Sequence, residues 1–228
     1  MSKNQKKVYL IIAFIILLIG LSIVYAFRIS DINKYSKNLP EINQTIITNF
    51  LTKKAYDTVL SSPTEKIEGK FVNPSLFEGD HQIGSKAESG NMSYTKDYSI
   101  IKVDNENFIK KDGEESYKKN EDSSVSYILN MITHPDWIQI QKRLADQKID
   151  GVTYLQYEIF FEKPDQEIVK TMSQEQLENL RIYGTILVKK DNFQLKQIKL
   201  HQGKNTETTF LIEYSPLENA PVIEKPKI

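Results

Sequence analysis

The sequence predicts an α+β fold in which an amino-terminal transmembrane helix precedes one curved, mostly antiparallel sheet packed on helices. Three observations carry this reading. Val8 to Phe27, VYLIIAFIILLIGLSIVYAF, holds no charged residue. Beyond it, short apolar runs are separated by turn signals at short spacing, so strands pair with their sequence neighbours. The longest run, Val152 to Phe161, carries one nearly continuous apolar face, which must cover a core or a cavity.

At 1.5 Å of rise per residue, the first run reaches about 30 Å as a helix, the thickness of a bilayer's hydrocarbon core. Only a helix satisfies its own backbone there. Lys3, Lys6 and Lys7 precede the run, and Arg28, Lys34 and Lys37 follow it, so basic residues are similar in number on both sides. The short amino-terminal tail is that of a signal-anchor, which places residues 1–7 in the cytosol and exports the rest. The competing reading is a signal peptide cleaved after Val24-Tyr25-Ala26. A signal-peptide apolar core is shorter, about 7–15 residues, and ends more cleanly, so the uncleaved anchor is preferred.

Composition narrows the function. Lys+Arg and Asp+Glu number 30 each, which gives no electrostatic reason for a nucleic-acid partner. The chain has no cysteine, which excludes disulfides, a thiol nucleophile, a Cys-based metal site and a lipid-modified cysteine. The helix is then the sole membrane attachment. Export without disulfides, with many Ile, Lys and Asn, is the association of a Gram-positive bacterium. No linker divides the remaining 200 residues, so residues 28–39 are a stalk and 40–228 one extracytoplasmic domain.

Pro40 suits a helix's first turn. Ile42, Ile46 and Phe50, with Ile47, Leu51 and Val59, give an apolar stripe that ends at Ser61-Ser62-Pro63. Glu65 to Lys119 reads as a meander. Its strands are Ile67–Val72, Met92–Tyr94, Tyr98–Val103 and Phe108–Lys110, with Tyr117 beyond. Its turns are Gly79-Asp80, Glu88–Asn91, Asp104–Asn107 and Asp112-Gly113. Two helices follow, Val125–Ile132 after a cap at Asp122–Ser124, and a second restarted by His134-Pro135 and carrying Trp137, Ile140 and Leu144. Trp137 either covers a cavity or anchors its helix to the sheet. Asp150-Gly151 turns the chain into Val152–Phe161, with Thr153, Leu155, Tyr157, Ile159 and Phe161 on one face. Ser173 and Gln176 form a capping box, with Met172 and Leu177 as the staple. Strands Ile182–Lys189, Gln194–His201 and Thr206–Tyr214 close the domain, turning at Asp191-Asn192 and Gly203–Asn205. Pro216, Pro221 and Pro226 make the tail an extended edge or strap.

The run Tyr183-Gly184-Thr185-Ile186-Leu187-Val188-Lys189-Lys190-Asp191-Asn192-Phe193-Gln194-Leu195-Lys196-Gln197-Ile198 resembles the closing hairpin of the LolA/LppX-like lipoprotein-carrier superfamily. Thr208–Tyr214 and the ending Glu213-Tyr214-Ser215-Pro216-Leu217 match its continuation, and Gly151–Phe161 before a capped helix also fits. The resemblance covers the carboxy-terminal half. It implies an unclosed β-barrel, plugged by helices, whose concave face holds acyl chains or another apolar ligand. The missing lipobox cysteine departs from the lipoprotein members, and a fixed tether suits a local acceptor, sensor or accessory subunit.

Catalytic chemistry is not evident. His81, His134 and His201 lie far apart, none at metal-ligand spacing. No G-x-S-x-G, phosphate loop or HExxH occurs, and Glu114-Glu115 and Glu121-Asp122 sit in hydrophilic turns. The chain is therefore read as a non-enzyme without a cofactor. The candidate ligand-binding residues are Tyr157, Ile159 and Phe161, then Ile186 and Val188, then Phe210, Ile212 and Tyr214. They line a cavity or pack as ordinary core; one composition serves both, and shape alone separates them. Two functions follow. One is a membrane-anchored extracytoplasmic module that accommodates a lipid-like ligand. The other is a single-pass accessory subunit of a cell-envelope, secretion or conjugation complex, with a protein partner and no small ligand. A stress-sensing regulator is a variant of the second, but a seven-residue tail is too short for a signalling domain.

Overall fold

The computed structural model describes residues 22, 35–86, 92–103, 106–121, 129–130, 132–134, 137–161, 182–202 and 210–227. The chain falls into two compact units, Met1–Leu39 and Pro40–Ile228. Of the first, only Ser22 and residues 35–39 are described. The apolar run at Val8–Phe27 thus lies outside the described residues apart from Ser22. Among the described residues, no helix is long and apolar enough to cross a membrane.

The second unit opens with helix α1, Leu39–Thr52, which buries Ile42, Ile46 and Phe50 at four-residue spacing. Twelve strands follow among the described residues: β1 Ala55–Ser61, β2 Glu65–Val72, β3 Leu76–Lys86, β4 Met92–Val103, β5 Glu106–Lys111, β6 Lys118–Asn120, β7 Ile138–Arg143, β8 Gln147–Ile149, β9 Val152–Phe161, β10 Ile182–Lys189, β11 Leu195–Gln202 and β12 Phe210–Pro216. All pairings are antiparallel, in the order β6-β5-β4-β3-β2-β1-β12-β11-β10-β9-β7, with β8 also on β9. The sheet is open, with β6 and β7 at its ends. The one long-range join, β1 to β12, brings the two halves of the chain together.

The sheet curves around α1. The Asn43 side chain donates to the Ile138 carbonyl on β7 at 3.0 Å, while the Phe50 ring stacks on Tyr56 of β1 and Phe71 of β2. Five strand spacings between β1 and β7 measure about 24 Å in a flat sheet. Seven helical residues rise only about 10 Å. One helix touches both strands because the sheet bends toward it.

Four expectations are corrected. The first helix does not run on to Ser61; it stops at Thr52, and Val59 belongs to β1. Tyr56, Thr58 and Leu60 alternate as buried positions there, a period-two pattern in aromatic and β-branched residues that packs as strand. No glycine ends α1. Its last carbonyls are satisfied instead by side chains: Phe50 O accepts from Tyr56 Oη at 2.9 Å and from Asn73 Nδ2 at 3.0 Å, and Lys53 O also accepts from Asn73. Gly79-Asp80 is not a turn but the middle of β3, where Gly79 faces Gly69. Met92–Tyr94 and Tyr98–Val103 are one strand, β4, with an irregularity between His81 and Gln82 on its partner.

The helix expected after His134-Pro135 is strand β7, in which Ile138 and Ile140 are buried and Gln139 and Gln141 exposed. Alternation, not helical spacing, places those two isoleucines on one face. Trp137 stacks on His134 at 5.0 Å just before the strand, and Leu144 follows it.

Other expectations are met. Val152–Phe161 and Ile182–Lys189 are β9 and β10. Asp150 and Gly151 both take positive φ, 48° and 80°, between β8 and β9, and Gly113, at φ 83°, turns β5 toward β6. Residues 122–128, the capping box at Ser173–Gln176, and the turns at Glu88–Asn91 and Gly203–Asn205 lie outside the described residues, as do Asp104 and Asn105 of another, whose Glu106 and Asn107 belong to β5 and pair with Val103 and Lys102.

Candidate functional site: the apolar concave face

Register, not proximity in sequence, builds the face that α1 covers. Tyr157 on β9 stands opposite Ile186 on β10, and Ile186 opposite Ile198 on β11. Ile198 faces Ile212 on β12, Ile212 faces Leu60 on β1, and Leu60 faces Ile67 on β2. These six side chains form one row across six adjacent strands, all between 0% and 3% exposed. Beside it run Ile159, Gly184, Leu200 and Phe210 toward one rim, and Leu155, Val188 and Leu195 toward the other.

Of the residues singled out in the sequence, Tyr157, Ile159, Ile186, Val188, Ile212 and Tyr214 are fully buried on this face, and Phe210 is half-buried at its rim. The backbone of Phe161 pairs with Ile138 and Ile182; its side chain is outside the described residues. Leu60, Ile67 and Ile198 belong to the same row. Leu60 was hidden by the helical reading of its strand. Ile67 lay in an expected strand and was missed because the β1–β12 join sets its place in the row, whereas Ile198 enters it through its hairpin registers with Ile186 and Ile212.

Gly184 is required where it stands. A β-carbon there would meet the Lys199 carbonyl oxygen at 2.1 Å, so β10 and β11 close up only with glycine.

The row ends in polar groups on both sides. Past Ile67 comes His81, buried and stacked on Tyr98 at 4.5 Å, with Nδ1 3.3 Å from Asp97 and Nε2 3.7 Å from Glu65. Past Tyr157 comes Arg143, whose guanidinium sits 5.2 Å from the centre of the Tyr157 ring. Arg143 pairs with Asp146 and donates to the Gln156 carbonyl at 2.9 Å. A long apolar track thus has a charged cluster at each end.

An aromatic plug closes one end of the face. Phe50 stacks on Tyr56 at 4.5 Å and meets Tyr214 edge-on at 5.0 Å. Tyr214 Oη donates to the Ile132 carbonyl at 3.0 Å, and Leu129 and Ile132 are fully buried. Burial pushes both the Tyr56 and the Tyr214 hydroxyl far above the usual phenol range, with the Tyr56 charge adding to the shift at Tyr214. Both hydroxyls act as donors, to the Phe50 and Ile132 carbonyls. Among the described residues, no group of three or more His, Asp or Glu side chains could hold a metal ion.

No protein-family model matches this chain, and no curated protein does. Among solved structures it is similar to LprF from Mycobacterium bovis, at 13% identity and a TM-score of 0.47, over 82% of this chain and 97% of that one. It is similar to lipoprotein LppX from Mycobacterium tuberculosis at 10% identity and a TM-score of 0.43, over 80% and 97%. A third is the LolA superfamily protein NE2245 from Nitrosomonas europaea, at 8% identity and a TM-score of 0.32, over 80% and 94%. LppX and the LolA superfamily protein carry the two names in the superfamily that the carboxy-terminal hairpin resembles.

Proposed function

We propose that this chain is a membrane-anchored, extracytoplasmic binding module that takes a lipid or other apolar ligand against the concave face of its sheet. The observation that carries the reading is the row Tyr157-Ile186-Ile198-Ile212-Leu60-Ile67. Apart from the Tyr157 hydroxyl at one end, it is apolar over five strand spacings, about 24 Å. An extended acyl chain is a track of that length and chemistry. Tyr157, Ile159, Phe161, Ile186, Val188, Phe210, Ile212 and Tyr214 are the proposed lining. A ligand enters by separating α1 from the row. The polar contacts Asn43 to Ile138 and Asn49 to Asn192, at 3.0 and 2.8 Å, pin the helix at two points along its length.

A second reading is favoured by one specific observation. The proposed lining residues Tyr157, Ile159, Ile186, Val188 and Ile212 have no exposed surface at all, as in a filled core. On that reading the domain is an accessory subunit of an envelope complex, recognised by its outer surface.

Native mass spectrometry of the full chain, extracted from cells in a mild detergent, separates the two. The binding reading expects an added mass that organic solvent releases as lipid. A bare protein mass that persists after incubation with phospholipid vesicles supports the accessory-subunit reading instead.

A further inference from the structure

The concave face changes chemistry at the join between the two halves of the chain. Among the described residues, its buried side chains on β9 to β12 are aliphatic, apart from the phenols of Tyr157 and Tyr214. Its other buried polar side chains lie on β1 to β5. They are Thr58 on β1, His81 on β3, Lys102 on β4 and Asn107 on β5, exposed by 1%, 7%, 2% and 6%. Register places them on this face. Thr58 alternates with Tyr56 and Leu60, His81 stands opposite Ile67, Asn107 opposite Lys102, and Lys102 opposite Phe77. Phe77 in turn faces Phe71, on which the Phe50 ring of α1 stacks. A molecule that matches such a face has an apolar chain and a polar end.

Thr58 stands at the boundary. Along β1 it is two residues, about 7 Å, from Leu60 in the apolar row. Among the described residues its hydroxyl has no hydrogen-bond partner. Leaving a buried hydroxyl unpaired is costly, so such a group marks a place where a water or a ligand belongs. The phenols beside it are already committed. Tyr56 Oη donates to the Phe50 carbonyl, and Tyr214 Oη, opposite on β12, donates to that of Ile132. Gly69, opposite on β2, has no side chain, and the Phe77 ring lies over it. Thr58 thus offers one uncommitted donor beside the apolar row.

We propose that the ligand of the concave face is an acyl compound whose carbonyl oxygen accepts a hydrogen bond from Thr58 Oγ1. Its chain lies along Leu60, Ile212, Ile198 and Ile186 toward Tyr157, and its polar end turns toward β3 to β5. From Leu60 to Tyr157 there are four strand spacings, about 19 Å, which leaves room for a long chain. An ester or acid satisfies the hydroxyl at the point where the chain ends. A bare hydrocarbon fills the row and leaves the hydroxyl unpaired. This inference rests on the binding reading and names the class of ligand.

Two probes of equal chain length read the carbonyl alone. Radiolabelled methyl palmitate and methyl hexadecyl ether are each equilibrated with the full chain in mild detergent. The native chain should hold the ester about tenfold more tightly than the ether, the worth of one hydrogen bond in a dry site. Thr58→Val, which exchanges the hydroxyl for a methyl group, should bring the ester down to the level of the ether and leave the ether unchanged. Thr58→Ser, which keeps the hydroxyl, should retain the preference. In chemical denaturation without lipid, Thr58→Val should be at least as stable as the native chain, because the hydroxyl has no partner among the described residues. A lower midpoint would mean that a buried water ties the hydroxyl to the fold, and overturns the inference. Equal affinity of the native chain for both probes, or an undiminished preference in Thr58→Val, also overturns it and leaves the binding reading standing. Binding of neither probe overturns the binding reading, and this inference with it.

Discussion

The hydroxyl of Tyr214 donates to the carbonyl of Ile132 at 3.0 Å, joining two fully buried groups 82 residues apart in sequence. The bond fixes the segment before β7 onto the end of β12, beside the ring of Phe50.

Tyr214→Phe keeps the ring and leaves the Ile132 carbonyl without its donor. A buried acceptor left unmade costs about 1–3 kcal/mol. Chemical denaturation should show a lower midpoint with an unchanged slope. A loss well below 1 kcal/mol would mean that the carbonyl finds another donor.

Gly69 and Gly79 give a sharper contrast. They face each other across β2 and β3, and the Phe77 ring lies over both. A β-carbon on Gly69 would meet the Glu78 carbonyl oxygen at 2.3 Å, and one on Gly79 the Glu68 oxygen at the same distance. Neither backbone atom can move without opening the ladder. Gly69→Ala and Gly79→Ala should each destabilise by about 1–3 kcal/mol or more. At Gly84 the nearest atoms are the side-chain ends of Met92 and Tyr94, which can swing away. Gly84→Ala should therefore be close to neutral in the same thermal melt.

These glycines also mark what the sequence made legible and what it did not. Val152–Phe161 was readable because the Asp150-Gly151 turn precedes it and one face is nearly continuously apolar, and Ile182–Lys189 because its apolar run ends at the Asp191-Asn192 turn. The same glycine chemistry misled at Gly79-Asp80, where glycine serves close approach within a strand and not a turn. Ala55–Ser61 was absorbed into α1 because Val59 fell in step with the helical stripe, and no glycine or proline marks the break at Lys53-Lys54. The β7 edge, Ile138–Arg143, was read as helix from His134-Pro135, although its isoleucines sit two apart. For the site, the lining on β9, β10 and β12 was legible as apolar faces. Its continuation through Leu60 and Ile67 was not, since the β1–β12 join links residues about 150 positions apart.

The tail after β12 is a strap whose hold depends on acid. Ile223 is buried with Ile101 and Phe108 on the face opposite the row, and Lys225 pairs with Glu106 while lying 5.4 Å from the Phe108 ring. Hydrogen bonds from Lys225 and Lys119 hold the Glu106 carboxyl well below the usual range, at about 2. Its folded value lies below its unfolded one. The contribution is therefore complete above about pH 4.5 and fades as pH falls toward 2. The gap in denaturation midpoint between the native chain and Glu106→Gln should be present at neutral pH and close across that window. A gap that holds constant down to pH 2 would show that Glu106 does not tie the strap.

The last prediction concerns the part of the row that only the fold revealed. Leu60 is 1% exposed and stands between Ile212 and Ile67. Leu60→Ala removes side-chain volume from the middle of the track. As a core substitution it should cost about 2–5 kcal/mol, depending on how far the site collapses. If the track also holds a ligand, the lipid recovered with the protein should fall. A ligand that binds only the folded state stabilises it by an amount that grows with the logarithm of its concentration relative to Kd. Added phospholipid should then raise the melting temperature of the native chain more than that of Leu60→Ala. Equal shifts in the two proteins, with undiminished lipid recovery from the variant, would place the ligand away from Leu60. No shift in either would leave the row as core alone.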